Sequence, residues 1–261
     1  DTVRDRLVSE WGVPTSDIRV IRNFVDPSAL PVRDPLPARP ARALVFSNRA
    51  SHHVAIVRQA CDPLGLAVDA VGEDVGRVST DPGRLLPQYD IVFAKARCAM
   101  EAMAVGCAVV LCDRAGVGPM VDTRNVDELR RLNFGLRTLR AAHSPQVIAD
   151  AVRAYDPADA ARVSLRIREE ARLDTAVDQL LDTYAEVLAE WQPRSGGADE
   201  ELRSVADYLQ QFRAEPTPGS AAAALLRAAY FRLARTPIVR WFLPPASTAL
   251  RIHQRLTRGP G

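Results

Sequence analysis

The sequence predicts a doubly wound α/β fold, a mainly parallel sheet covered by helices on both faces, followed by a helical C-terminal appendage. Three observations carry that expectation. Short continuous apolar runs at Ala43 to Phe46, Tyr89 to Ala94 and Ala108 to Leu111 have the character of strands buried on both faces. Helix-length segments separate them, as the crossovers between parallel neighbours require. The composition is that of a globular protein, 47% hydrophobic and 25% charged over 261 residues, enough for one substantial core and a smaller appendage.

Taken in order, residues 2–11 read as a short helix and Ile18 to Ile21 as a strand. The proline-rich stretch from Pro27 to Pro40 reads as a linker, so residues 1–40 form an N-terminal helix, strand and linker. The strand at 43–46 leads into an amphipathic helix that starts near Ser51 and ends before Pro63. Leu66 to Val71 gives the next strand, Tyr89 to Ala94 a third, Cys98 to Val105 a helix, and Ala108 to Leu111 a fourth strand reached through Gly106. From Pro145 to Trp191 the pattern is helical, broken at Asp156-Pro157. Pro193-Arg194-Ser195-Gly196-Gly197 marks a boundary, which divides the rest of the chain into a Rossmann-like α/β domain at 41–192 and a helical basic tail at 193–261.

The net charge of +2 hides an asymmetry: residues 219–261 hold seven arginines and no acid, which leaves residues 1–218 at −5. Lys95 is the sole lysine. Cysteines 61, 98, 107 and 112 match neither a zinc spacing nor a secreted disulfide framework, so a reducing compartment and packing roles are expected, with no metal. No signal peptide opens the chain, and no apolar run approaches the ~20 residues that span a bilayer, so a cytoplasmic protein is expected.

In an open parallel sheet, ligands bind beyond the carboxyl ends of the strands, where helix N-termini offer free amides to anions. The third strand runs into Lys95-Ala96-Arg97 and a helix carrying Glu101. Two cations and a helix dipole there favour a phosphate, and the Glu101 carboxylate is placed to accept from a ribose diol. The alternative is that Lys95 and Arg97 are solvated and Glu101 complements the dipole. The first strand ends in Ser47-Asn48-Arg49-Ala50-Ser51-His52-His53, which makes Arg49 a phosphate-clamp candidate and leaves the histidines as caps or flanks of the helix start. After the fourth strand, Gly116 and Gly118 either admit a ligand close to the backbone or form a tight turn. They are not a dinucleotide fingerprint, which needs glycine where Val121 stands.

The run Phe93 to Val110, with its core Glu101-Ala102-Met103-Ala104-Val105-Gly106 followed by a strand, resembles the donor-site segment of GT-B-fold glycosyltransferases of the family 4 type. Val20-Ile21-Arg22-Asn23-Phe24-Val25-Asp26 is similar to the segment that ends the interdomain linker of those enzymes. The resemblance covers roughly residues 18–192 and is strongest at 89–121. It implies a Rossmann-like half of a GT-B enzyme, the C-terminal donor-binding half, since only residues 1–19 precede the linker match. It also implies retention of configuration, no cofactor and no obligatory metal. Glu101 falls on the ribose-binding glutamate of the family's E-x7-E pattern, whereas the first glutamate falls on Phe93. Arg49 matches the family's diphosphate-binding arginine by position, and no lysine follows it.

The expected function is therefore glycosyl transfer from a nucleoside diphosphate sugar, with Arg49 and Lys95 catalytic, and Arg97, Glu101, Gly116 and Gly118 binding substrate. The acceptor would sit on an N-terminal domain, in a missing part or on another chain. In the tail, Leu225, Leu226, Ala229, Tyr230 and Leu233 share a helical face opposite Arg227 and Arg235. Residues 220–258 are thus a candidate for peripheral membrane contact, or for packing against a missing domain. Nucleic acid is not expected as a partner. A non-catalytic nucleotide-binding or interaction module is the competing class, and a two-domain sugar-nucleotide epimerase is disfavoured by the short N-terminus.

Overall fold

The computed structural model of the chain describes residues 2–191, together with 202–203 and 205–206. The chain divides into two units, 1–191 and 192–261. The expected tail helix at 221–235 and the candidate membrane contact at 220–258 lie outside the described residues.

The first unit opens with helix α1 (Thr2–Trp11). It then alternates: β1 (Arg42–Phe46), α2 (Val54–Cys61), β2 (Ala67–Val71), α3 (Pro82–Leu85), β3 (Ile91–Ala94), α4 (Ala96–Val105) and β4 (Ala108–Asp113). A further strand, β5 (Gly116–Met120), and helices α5 (Val126–Arg131), α6 (Pro145–Arg153), α7 (Pro157–Glu170) and α8 (Leu173–Glu190) complete it. The five strands form one sheet in the order β2-β1-β3-β4-β5. All neighbours are parallel except β4 and β5, which form an antiparallel hairpin. The protein is thus a mixed α/β, Rossmann-like fold. Its strand order reverses between β1 and β3, which makes the crevice above those two strands the topological switch point.

Side chains of the central strands alternate between two cores, as a pleat of period two demands. Leu44, Val92, Ala94, Val109 and Leu111 join the core under α4 and α7, with Met100, Met103, Val163 and Ile167. Val45, Ile91, Phe93, Val110 and Cys112 join the core under α2 and α6, with Val57, Cys61, Ile148 and Val152. The helices begin where their caps dictate: Ser144 Oγ accepts from Val147 N at 3.1 Å, and Asp156 accepts from Asp159 N at 2.9 Å, each with proline in the next position. Helix α4 stops at Gly106, whose φ of 106° lies in the left-handed region, with a Cβ there only 3.2 Å from Arg33 Cγ.

Three expectations need correction. Ile18 to Ile21 form no strand: the segment is extended but has no ladder partner, and Arg19 is held instead by Glu186 of α8 at 2.6 Å. Among the described residues, the pairing nearest to it is the single bridge between Val25 and Arg172. That bridge also breaks the helical stretch a second time, because Val25 donates to Ala171 O at 2.8 Å and accepts from Leu173 N at 2.9 Å. The proline-rich stretch is a strap rather than a loose linker. Its Arg33 guanidinium, 11% exposed, pairs with buried Asp90 at 3.0 Å, while the other Asp90 oxygen accepts from Ala41 N and Arg42 N at 2.9 and 3.1 Å. Arg168 of α7 holds the strap's other end by donating to the carbonyls of Leu30 and Pro27.

Candidate functional site

Three segments meet at the carboxyl edge of the sheet around the switch point: Ser47 to Arg49 after β1, Lys95 with the first turn of α4 after β3, and Asp113-Arg114 at the end of β4. A chain of polar contacts crosses the crevice. Ser47 Oγ donates to Asp113 Oδ1 at 3.2 Å, and Lys95 Nζ lies 3.2 Å from Asp113 Oδ2. Asp113 is 6% exposed and Lys95 33% exposed, so the carboxylate anchors the ammonium at the mouth. Burial pushes the Asp113 carboxyl up, but the Arg114 amide, Lys95 and Ser47 outweigh it and hold it below the usual carboxylate range. Asp113 is therefore an anion at neutral pH that fixes the position of Lys95.

Arg97 and Glu101 lie one turn apart on α4 and bond to each other, Nε to Oε1, at 2.8 Å. Arg97 is exposed, whereas the Glu101 side chain is 12% exposed. Ala96 starts this helix with φ of 49°, a conformation that a residue with a Cβ seldom adopts. Its N–H donates to Phe134 O at 2.8 Å, and Asn133 and Phe134 are themselves at positive φ, so a strained loop braces the helix start. Arg49 is exposed and has no ion-pair partner among the described residues. Its N–H donates to Ser47 Oγ at 3.2 Å.

The structure thus brings Arg49, Lys95, Arg97 and Glu101 to one edge. Gly116 and Gly118 stand on β5, where the chain's own backbone requires glycine. A Cβ at Gly116 would lie 2.6 Å from Ala141 O, and one at Gly118 2.6 Å from Thr138 O. The space that was expected to admit a ligand at these glycines is filled by residues 138–141, and the expected loop is an antiparallel strand.

Sequence reasoning missed Ser47 and Asp113 as the bridge, and Gly72 as its support. A Cβ on Gly72 would fall 1.9 Å from Ser47 O, so the loops after β1 and β2 touch only because residue 72 has no side chain. Polar residues at the carboxyl ends of different strands of one sheet are the signal that finds such a bridge. His53 is buried, with neither ring nitrogen hydrogen-bonded, and its ring stacks on His143 at 5.9 Å between centroids. Burial lowers its pKa, opposed by Asp113 and reinforced by His143. His52 is exposed. Burial pushes the thiols of Cys61, Cys107 and Cys112 up to about 12 and that of Cys98 up to about 11, so all four are protonated packing groups at neutral pH. Among the described residues no cluster of three or more His, Cys, Asp or Glu is placed to hold a metal ion, and no helix is long and apolar enough to cross a membrane.

No family model matches the sequence, and no curated protein matches it. Among solved structures, one similar chain is AviGT4, a glycosyltransferase involved in avilamycin A biosynthesis, at 14% identity and a TM-score of 0.40. The match covers 67% of this chain and 60% of that one, so this chain spans less than two thirds of that structure's length. A likeness of this size assigns no activity.

Proposed function

We propose that the chain binds a nucleoside diphosphate sugar at the β1/β3 switch point and acts as the donor-binding half of a glycosyltransferase. The observation that carries this reading is the convergence of Arg49, Lys95 and Arg97 on one edge, around the start of α4, with the Glu101 carboxylate one turn inside. A diphosphate seated there meets free helix amides and three cations, and a ribose meets a carboxylate whose second oxygen carries no hydrogen bond.

Arg49 and Lys95 stabilise the negative charge that grows on the diphosphate as the bond to the sugar breaks, the largest catalytic contribution for such a leaving group. Asp113 and Ser47 hold Lys95 ready, so little reorganisation accompanies the reaction. Arg97 exchanges part of its bond to Glu101 for a phosphate oxygen, which frees Glu101 for the ribose. Retention of configuration without a metal is the reading that the resemblance favours. The acceptor, a growing surface polysaccharide or a glycolipid, is placed on another half supplied by the same protein or by a second chain.

A specific observation favours a second reading, a nucleotide-binding or interaction module without catalysis. Phe93 stands where the family resemblance expects a carboxylate, and it is fully buried in β3, paired with Val45 and Val110. The ring lies in the core under α2 and α6. Calorimetry of the chain against UDP, GDP and their sugar conjugates separates a nucleotide site from a pure interaction module. One nucleotide that binds, and binds more weakly to Glu101→Ala and Arg97→Ala, supports the donor site; a folded chain that binds none of them leaves the interaction module.

A further inference from the structure

A second concentration of positive charge is built by other elements: the segment 20–24, the end of α5 and the junction of α7 with α8. They enclose a cleft of about 340 Å³ lined by Arg22, Arg130 and Arg172 and by one carboxylate, Glu170, with Asn23, Thr175 and Gln179 as neutral polar groups. Its charges are out of balance. Arg130, 12% exposed, is bound by Glu170 at 2.7 Å; the same carboxylate also serves Arg166 at 2.9 Å, which Asp127 holds as well at 2.7 Å, so the three arginines that line the cleft face one lining carboxylate. Arg172 has only an exposed contact with Asp174 at 2.9 Å, a kind of pair that contributes little. Arg22 is exposed and has no ion-pair partner among the described residues.

Two further observations point the same way. The Arg130 Nε is buried without an acceptor among the described residues, and burial lowers the pKa of its guanidinium, opposed by the charge of Glu170 and reinforced by that of Arg22. Like charges at close range are unfavourable unless an anion lies between them. The cleft also sits at the start of α8, an 18-residue helix with no side-chain cap. The Leu173 amide is taken by Val25 O, while those of Asp174 and Thr175 have no acceptor among the described residues, and Thr175 lines the cleft. The positive end of a long helix dipole therefore adds to the arginines.

We infer that this cleft is a binding site for a phosphate monoester, separate from the donor site and formed by Arg22, Arg172 and the first turn of α8. Planar guanidinium forks match phosphate oxygens in pairs, and the neutral amides and hydroxyl around them suit the hydroxyls of a small polyol. Neither the resemblance nor the switch-point geometry assigns a ligand here. The same phosphate chemistry is offered by a soluble sugar or polyol phosphate and by a phosphatidic acid headgroup.

The test uses the full chain, nitrogen-15 labelled, titrated with glycerol 3-phosphate in solution and, in a second arm, with phosphatidylcholine vesicles with and without phosphatidic acid. The arginine Nε–H signals are assigned by single variants. Saturable shifts of the Arg22 and Arg130 signals are expected, with affinity at least tenfold weaker in Arg22→Ala and in Arg172→Ala and unchanged in Arg49→Ala. Arg22 and Arg172 are exposed, so both variants should fold. A response to glycerol 3-phosphate alone identifies a soluble ligand, and a response to phosphatidic acid alone a headgroup. Shifts confined to Arg49 and Arg97, equal affinity in Arg22→Ala, or no saturable shift in either arm overturns the site.

Discussion

Strand β3 and helix α8 both carry large apolar side chains, yet every residue of β3 is buried, while α8 leaves Leu181, Tyr184, Val187 and Leu188 each more than half exposed, as is Trp191 just beyond its end. In β3, two cores and two neighbouring strands fix each side chain on both faces. In α8, Ala176 is the one buried residue, and beyond the first turn the helix is tied down by little more than the Arg19 contacts with Thr183 and Glu186. Apolar spacing tells which face of an element wants cover. It does not tell what covers it.

The sharpest test of this contrast lies in β3. Phe93→Ala deletes a fully buried ring from the core under α2 and α6, and such truncations cost about 3–5 kcal/mol. Urea unfolding should show the loss as a lower midpoint with an unchanged slope. A cost below about 1 kcal/mol would mean that this core is loosely packed, and the contrast with α8 would lose its basis.

What was legible in the sequence follows the same division. β1, β3 and β4 announced themselves because strands buried on both faces must be continuously apolar, and the crossover helices followed from parallel pairing. Lys95, Arg97 and Glu101 were found because one helix start places them together. The partners that organise them were not legible: Ser47 reaches Asp113 across 66 positions, and Arg33 reaches Asp90 across 57. No local pattern marks a pair that meets only once the sheet has formed. The bridge at Arg172 escaped for the same reason, since Val25, distant in sequence, interrupts what otherwise reads as one helical stretch. Gly116 and Gly118 carried a real signal, a need for glycine, but the close neighbour was the chain's own backbone.

Gly72 tests whether the edge of the sheet shares the rigidity of its middle. An added methyl would meet Ser47 O at 1.9 Å, and since both sides are backbone, neither can swing away. Gly72→Ala should therefore destabilise by about 1–3 kcal/mol, as overpacking does. It should also displace the loop that holds Asp113 through Ser47, visible as altered amide shifts at Asp113 and Lys95. Shifts confined to residues 71–73 would show that the edge yields more easily than the core.

His53 adds a pH dependence to the same edge. Its folded pKa is lowered from 6.5 by burial, so an unfolded chain takes up the proton first as pH falls. The neutral ring's contribution to stability is complete above about 6.5 and is lost as pH falls from there through the lower folded value. The groups facing it are Asp113, His143, Asp74 and His52, and the two carboxylates oppose the loss. His53→Phe should flatten the stability profile across this window and leave stability at pH 8 unchanged or higher, since no buried nitrogen then lacks a partner. An unchanged profile would assign the dependence to other groups.

The smallest effect is expected in α8, and it decides whether the apolar stripe is bare in solution. Leu188 is 73% exposed, and removing an exposed side chain changes stability by no more than about 0.5 kcal/mol. Leu188→Ala should fall in that range, and the amides of the last two turns should exchange with solvent far faster than those of α4, because local opening there breaks few contacts. A helix of this length without tertiary cover is marginal in water, so fraying from Trp191 inward is the physical expectation. If Leu188→Ala instead costs as much as Phe93→Ala, the stripe is covered in solution. α8 would then belong with β3, as an element whose apolar face is fully used.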